Sequence, residues 1–257
     1  MTRAAGGRVL RVVAFYAGLL VLWQVVVVLE LWSPLLFPSP ERVWAAFERN
    51  LSNGLLVEGI LGSMQRLAIG YALSFFIGAA LGLLNGTQRW ADETIGTLVM
   101  GLQSLPSITW LPMAVLWFGL SDTAIIFVTL MGSVWSIALS VRDGLRNLPP
   151  ILLRAAGTFG ANTYQTYRYV LIPGMLPALA GGLKQGWTFA WRSLMAGELL
   201  FVTIGLGHLL NIGRELNNIS MVFSVMLVII VVGVAVDRLL FGRLEAWVSE
   251  RWGFAHA

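Results

Sequence analysis

One hydrophobic segment of this sequence, residues 176–202, carries charged side chains that a membrane-buried helix rarely holds. A charged residue near the centre of a bilayer costs about 2.5–3.5 kcal/mol, whereas each Leu or Phe returns only about 0.3–0.6 kcal/mol. The segment must therefore face other helices or water, and intramembrane charge often lines the path of a polar solute. Its charged residues are Lys184, Arg192 and Glu198.

The spacing of these residues leaves two interpretations open. Lys184, Trp191 and Glu198 are seven residues apart and fall within about 40° on a helix, so they form either a stripe along a translocation pathway or ion pairs with a neighbouring span. For Lys184, snorkelling toward the membrane surface is an equal alternative. Glu198 lies near the outer boundary, where water reaches it. Arg192, the deepest charge, points about 80° away from Lys184 and is the better candidate for contact with a solute.

A second hydrophobic segment, residues 95–118, also mixes polar groups with apolar ones. Pro106 and Pro112 remove two backbone donors and predict a bend in this helix. Four side chains recur at helical intervals and would share one face, which offers an amide, a hydroxyl and indole N–H groups. Either this face lines a passage or the segment is a kinked packing helix. The predicted pathway residues are Gln103, Ser107, Trp110, Trp117, Trp191, Arg192, Lys184 and Glu198.

Composition identifies the class of protein that positions these residues. The 257 residues are 57% hydrophobic and 12% charged, whereas soluble domains carry about 25% charge. This indicates an all-α, polytopic integral membrane protein, and a span needs about 20 apolar residues. We predict a single transmembrane domain over residues 1–257 with six spans, at about 10–32, 62–85, 95–118, 123–141, 176–202 and 220–241.

Arginine is unevenly distributed between the predicted loops. With both termini in the cytoplasm, eleven arginines lie inside and at most four outside, as the positive-inside rule requires. The same orientation places a loop, residues 142–173, in the cytoplasm. Membrane orientation therefore explains the net charge of +4, and the charge does not indicate nucleic-acid binding. We expect membrane lipid and no nucleic acid among the partners.

Two further patterns predict local structure. Ser39 and Pro40 mark the start of a short interfacial helix in the outer segment 33–60. Small residues then recur every four positions along the second span, which predicts a seam of close helix packing, within one subunit or between two. These residues are Gly70, Ser74, Gly78, Gly82 and Gly86.

Several kinds of chemistry are not expected. The sequence holds no phosphate-binding loop, zinc-binding helix motif or nucleophile elbow, and it contains no cysteine. We therefore expect no catalytic residues and no metal site. Carboxylates are sparse within the spans, which argues against a proton-coupled carrier, so the energy for transport would come from another subunit.

The cytoplasmic loop is longer than a hairpin between two spans requires. Its length and amphipathy predict two short helices at the membrane surface, the second ended by Pro173. Such an element suits contact with a protein outside the bilayer, and small residues at 155–157 and 160 would allow close docking.

The loop also carries a resemblance to a known family. Its pattern of small and apolar residues resembles the cytoplasmic EAA loop of ABC importer permeases. The pattern consists of Ala155-Ala156, then Gly160, then Val170 with Ile172-Pro173. Three further stretches look like the nitrate/sulfonate/taurine-type permeases of that group. They are Gln103-Ser-Leu-Pro-Ser-Ile-Thr-Trp-Leu-Pro112 with Leu116-Trp-Phe-Gly119, Ala190-Trp191 with Ala196-Gly197-Glu198, and Gly205-Leu-Gly207.

The resemblance implies a type I ABC importer fold in the bacterial inner membrane. It implies separate ATPase subunits that bind ATP and Mg²⁺, an extracytoplasmic substrate-binding protein and a second permease copy, commonly as a homodimer. No cofactor is expected in this chain. Arg154 stands where the name of the motif expects Glu, so a contact made by a carboxylate does not transfer. The residues implied to couple to the ATPase are Arg154, Ala155, Ala156, Gly157, Thr158, Phe159, Gly160 and Tyr164.

The substrate is predicted from charge alone. Lys184 and Arg192, with few buried carboxylates, suit a small anion such as nitrate, a sulfonate, taurine or bicarbonate. The tryptophans of the third and fifth spans equally suit an aromatic or heterocyclic compound. A self-sufficient channel or secondary carrier, and a membrane-embedded enzyme, are the competing classes.

Overall fold

The computed structural model describes residues 2–201 and 203–251, apart from the side chains of residues 2–6, 8 and 9. Residues 1, 202 and 252–257, which include both ends of the predicted domain and the end of the predicted fifth span, lie outside the described residues. Within those ranges the chain is helical and contains no strand, which confirms the all-α prediction.

Thirteen α-helices follow one another in the described part of the chain. They are α1 (Thr2–Val28), α2 (Pro40–Ser52), α3 (Leu55–Thr87), α4 (Arg89–Ala91), α5 (Thr97–Gln103), α6 (Leu111–Phe118), α7 (Asp122–Arg146), α8 (Pro150–Thr158), α9 (Thr163–Thr166), α10 (Ile172–Glu198), α11 (Leu206–Glu215), α12 (Ile219–Val236) and α13 (Gly242–Arg251). Three π-helical turns, Asp92–Gly96, Tyr167–Leu171 and Asp237–Phe241, and one 3-10 turn, Ser107–Trp110, join neighbouring helices.

Several of these helices could cross a membrane. By length and composition, four described segments qualify: Leu10–Val28, Leu55–Thr87, Asp122–Arg146 and Ile219–Arg251. A fifth candidate is the bent pair Arg89–Gln103 and Ser107–Phe118. Helix α10 is long enough, with 27 residues, but its charged residues and glycines make it less apolar than the others.

Helix α7 lies at the centre of the bundle, packed between α3 and α10. Its residues Ile125, Val128 and Ile137 are fully buried. α7 continues through Arg146, past the predicted end of the fourth span at residue 141, because its last turns still pack on α3 and α10. The non-helical connection to α8 therefore starts at residue 147.

The small residues of α3 form the predicted seam, and they form it within one chain. A Cβ added to Gly78 would lie 2.7 Å from the carbonyl oxygen of Val134, and one added to Gly86 would lie 2.6 Å from a methyl carbon of Leu145. Ser133 donates a hydrogen bond of 2.7 Å to the Ser74 hydroxyl across the same seam. Close approach of α3 and α7 therefore depends on these small side chains.

The first two helices lie at the edge of the bundle. α2 begins at Pro40, where the Ser39 hydroxyl accepts a hydrogen bond from the Arg42 N–H, and this confirms the predicted helix start. α1 ends at Val28, short of the predicted residue 32. No residue of Leu10–Val28 is buried among the described residues, so the apolar surface of α1 needs lipid or another subunit.

A leucine at Gly78 tests the seam. We expect Gly78→Leu to lower the free energy of unfolding by about 1–3 kcal/mol or more, because the new side chain enters occupied space. Thermal unfolding of the purified protein in detergent measures this. Gly18→Leu on α1 is the matched control, since a Cβ added there meets nothing within 4 Å. Equal melting temperatures for the two variants would contradict the close packing of α3 on α7.

Candidate functional site

The third predicted span is broken where its prolines lie. The helices on either side of residues 104–106 meet at 100°, and Pro106 immediately precedes the 3-10 turn. The predicted bend is therefore confirmed. Helical periodicity applies only along a continuous helix, so it does not by itself fix which side chains before and after the break share a face.

A pocket of about 390 Å³ opens beside this break. We name it the polar pocket for its polar lining residues, although apolar side chains such as Ile108 and Phe189 supply most of its surface. The bent segment, α7 and α10 enclose it. Of the eight predicted pathway residues, three line it: Gln103, Ser107 and Arg192. Arg192 is exposed, is the only charged residue of the lining, and has no salt-bridge partner among the described residues.

The two tryptophans of the bent segment lie outside this pocket. Trp110 and Trp117 contact Phe127 of α7, with ring centroids 6.2 and 5.6 Å apart. Trp191 of α10 is buried and stacks on Trp187 at 5.8 Å. It also fills the space beside Gly233 of α12, where an added Cβ would lie 2.9 Å from its Nε1. These three indoles pack helices together in this structure.

Lys184 pairs with a carboxylate of α13. Its Nζ lies 2.9 Å from Oε2 of Glu245 in α13, and both side chains are partly exposed. Of the interpretations open for Lys184, the geometry matches a pair with a neighbouring helix. The pair links α10 to the last described helix.

Glu198 lies at the centre of a buried polar cluster. The residue is fully buried, and its carboxylate accepts hydrogen bonds from Ser63 at 2.9 and 2.7 Å and from the Gly207 N–H at 3.0 Å. Arg66 of α3 lies 2.8 Å from Glu198 and 2.7 Å from Asp122. Glu198 therefore matches the alternative of an ion pair with a neighbouring span.

The same cluster accounts for the Gly205-Leu-Gly207 stretch. A Cβ on Gly205 would lie 2.5–2.6 Å from the Glu198 carboxylate atoms, and one on Gly207 would lie 2.6 Å from the Glu198 Cβ. Two side chains here would displace the carboxylate from its donors. The glycines thus let the start of α11 fold over the buried ion pair.

The loop that the sequence predicts to be cytoplasmic forms an element that projects from the bundle. In the described structure α8 contains no buried residue, and its main contact is with the π-helical turn Tyr167–Leu171. Ile151 is 63% exposed, Phe159 89% and Tyr164 71%. This much exposed apolar surface beside a helix indicates a contact with something outside this chain.

Gly160 is required by the backbone that ends α8. The Ala161 N–H bonds to the Ala156 carbonyl at 3.0 Å and the Gly160 N–H to the Gly157 carbonyl at 3.0 Å. With a φ of 71° at Gly160, this is a Schellman motif, which favours glycine. A Cβ at Gly157 meets nothing within 4 Å, so any need for a small side chain at that position arises outside the described residues.

The prediction that Pro173 ends the second loop helix is wrong. α9 begins at Thr163, capped by Asn162, and the chain stays helical through the π-helical turn into α10. Pro173 directly follows the π-helical turn, where the hydrogen-bond ladder already departs from the regular i→i−4 pattern. The loop is therefore connected to the fifth predicted span by continuous helix.

A second charged cluster joins the bent segment to the end of α7. Asp92 accepts a hydrogen bond from Arg142 and lies 2.7 Å from Nη2 of Arg146. Asp92 and Arg142 are 50 positions apart in the sequence, and no local pattern indicates their pairing. The cluster fixes the start of the bent segment to the helix that leads into α8.

Several helices long and apolar enough to cross a membrane, one of them broken, indicate a multi-pass membrane protein. The family model for the binding-protein-dependent transport system inner membrane component matches residues 71–249. The chain belongs to this family. It is therefore a multi-pass permease component of the inner membrane, and it is not an enzyme.

Similar proteins agree with the family. The chain is 27% identical over 242 residues to the taurine transport system permease protein TauC of Escherichia coli, covering 91% of this chain and 88% of that protein. It is 27% identical over 239 residues to the putative aliphatic sulfonates transport permease protein SsuC of the same organism, covering 93% and 90%. It is 30% identical over 234 residues to the riboflavin transport system permease protein RibX of Chloroflexus aurantiacus, covering 91% and 87%.

A solved structure shares the fold. A chain of the MetNI methionine ABC transporter, in an inward facing conformation, matches with a TM-score of 0.64 at 22% identity, over 76% of this chain and 96% of that chain. The fold is thus that of an ABC importer permease. The predicted resemblance to nitrate/sulfonate/taurine-type permeases is confirmed.

The two ion pairs of α10 are expected to differ in strength. Glu198→Ala removes a buried partner of Arg66 and should lower the free energy of unfolding by about 3–5 kcal/mol. Glu245→Ala removes the partly exposed partner of Lys184 and should cost less than about 1 kcal/mol. Chemical unfolding of both variants in detergent provides the comparison. A Glu198→Ala variant as stable as Glu245→Ala would show that the buried cluster does not hold α3 to α10.

Proposed function

We propose that this permease passes a small organic anion, such as a sulfonate, through an ATP-driven importer. The observation that carries this proposal is Arg192, a cation without a carboxylate partner among the described residues, in the polar pocket beside the broken span. A guanidinium in such surroundings favours an anionic solute. The names of the taurine and sulfonate relatives support the same class of substrate.

The proposed membrane topology has six spans with both termini in the cytoplasm. Helix α10 is the fifth span, because its 27 residues exceed the length that a bilayer requires. Its three charged residues and its glycines explain why its composition is less apolar. The bent pair Arg89–Gln103 and Ser107–Phe118 is the third span.

The proposed contact with the ATPase is made by residues 154–164, which lie in α8, the Schellman turn and the start of α9. Their exposure and the scarcity of contacts to the rest of the chain support this assignment. The coupling residues are Arg154, Ala155, Ala156, Gly157, Thr158, Phe159, Gly160 and Tyr164. ATP and Mg²⁺ would bind in the ATPase subunit, and no cofactor is proposed for this chain.

We also propose a homodimer of permeases that receives solute from an extracytoplasmic binding protein. The exposed apolar side chains of the bent segment support a second copy beside the pocket: Leu116 is 78% exposed and Trp117 56%. The exposed surface of α1 supports contact with lipid or with that copy.

Uptake by the complete transporter tests the proposed substrate. The permease, its ATPase and its binding protein are reconstituted in proteoliposomes, and accumulation of radiolabelled taurine and ethanesulfonate is followed with and without ATP. We expect ATP-dependent uptake of at least one sulfonate. Accumulation of riboflavin with no sulfonate uptake would favour the heterocyclic alternative. Uptake by the permease alone would favour a secondary carrier.

The coupling surface is tested by removing its most exposed aromatic side chain. Phe159→Ala should leave the permease folded, since Phe159 is 89% exposed, and should lower binding of the ATPase and ATP-driven uptake at least about tenfold, as for a central interface aromatic. Pull-down of the ATPase by the purified permease measures the binding.

Trp247→Ala is the matched control, because Trp247 is also exposed, at 53%, but lies in α13. It should leave ATPase binding near the unsubstituted level. Normal ATPase binding by Phe159→Ala would contradict the docking assignment, whatever the substrate proves to be.

A further inference from the structure

The polar pocket contains more than the residues that sequence patterns single out. Its volume of about 390 Å³ lies within the usual range for small-molecule sites, about 300–1,000 Å³. Two of its lining residues, Trp135 and Ser136, come from the central helix α7. Neither is part of a motif or a charge pattern, and both carry a hydrogen-bond donor.

Ser136 is a buried hydroxyl without a partner. The residue is 2% exposed, and its Oγ makes no hydrogen bond with the described residues. Other hydroxyls of the same helix are satisfied: Thr129 donates to the Ile125 carbonyl at 2.8 Å, and Ser133 donates to Ser74 at 2.7 Å. Because buried polar groups are almost always paired, the free hydroxyl of Ser136 indicates a partner that is not part of this chain.

Two neighbouring groups share this property. The Trp135 Nε1 and the Gln103 Oε1 are buried atoms with no hydrogen-bond partner in the described part of the chain. Leaving each such group unpaired costs about 1–3 kcal/mol. All three groups belong to residues that line the same pocket. The Trp135 N–H and the Ser136 hydroxyl can both donate to one bound solute, whereas the Gln103 Oε1 is an acceptor.

The chemistry of these groups selects the solute. An indole N–H only donates, a guanidinium only donates, and a hydroxyl donates readily to an anion. Arg192 supplies the positive charge, and no carboxylate lines the pocket in the described structure. A solute with several oxygen acceptors and one negative charge is complementary to this set, because hydrogen bonds to an ionised acceptor are the stronger ones.

We propose that Trp135 and Ser136, together with Arg192, form a subsite that binds the oxygen atoms of an organic sulfonate, with the Gln103 amide completing the lining. This inference rests on the proposed function, since it specifies how the same pocket recognises its anion. It assigns substrate binding to α7, the helix that also leads to α8.

Two conservative variants test the subsite in the complete transporter in proteoliposomes. Trp135→Phe removes the N–H donor and keeps an aromatic ring, and Ser136→Ala removes only the hydroxyl. With radiolabelled taurine as the probe, we expect each variant to raise the KM of ATP-driven uptake about tenfold, the loss typical of a hydrogen bond to a charged group. Uptake is expressed per folded transporter, measured by size-exclusion chromatography.

Matched controls come from nearby positions outside the pocket. Ser133 lies on the same helix as Ser136, but its hydroxyl already has hydrogen-bond partners, and Ser133→Ala removes it. Trp187→Phe removes the N–H of a buried indole of α10. Both should leave the KM for taurine within about twofold of the unsubstituted value, since neither contacts the solute.

The outcomes separate the two proposals. If the unsubstituted transporter takes up taurine and both pocket variants keep its KM, the subsite is overturned while the proposed function stands. A fall in maximal rate with unchanged KM also overturns the subsite, because it indicates a structural role. If the unsubstituted transporter takes up riboflavin and no sulfonate, both proposals fail.

Discussion

The cost of placing charge in a membrane-embedded helix governs this structure. Helix α10 carries three charged side chains, and each is handled differently. Glu198 is neutralised by Arg66 and satisfied by Ser63 and the Gly207 N–H. Lys184 is paired with Glu245 of α13. Arg192 has no such partner among the described residues and lines the polar pocket, where the proposed anionic solute would compensate its charge.

The central position of α7 relates the pocket to the loop that contains α8 and α9. One helix supplies Trp135 and Ser136 to the pocket, packs against the glycine seam of α3, and continues through Arg146 to the start of α8. About 16 Å of helix separates Trp135 from Arg146, at 1.5 Å per residue. Because packed helices move as rigid elements, a displacement of α8 would reach the pocket through α7 and through the Asp92 cluster.

Local patterns in the sequence predict local structure well. Ser39 and Pro40 start α2, Pro106 accompanies the break in the third span, and the small residues of α3 form a seam. Contacts between distant positions were not predictable. Arg66 and Glu198 are 132 positions apart, and a break of 100° redirects side chains that a continuous helix would align. Trp135 and Ser136 were missed because a free buried hydroxyl or indole N–H is recognised only once its surroundings are known.

The charge of Arg192 is the most direct test of this account. The measurement is the initial rate of ATP-driven taurine uptake by the complete transporter carrying Arg192→Gln or Arg192→Lys, with assembly confirmed for both. The account predicts that the initial uptake rate of the Gln variant falls at least about tenfold at low taurine concentration. The Lys variant, which keeps the positive charge, is predicted to retain a larger share of the unsubstituted rate. Taurine uptake by the Gln variant at the unsubstituted rate would contradict it.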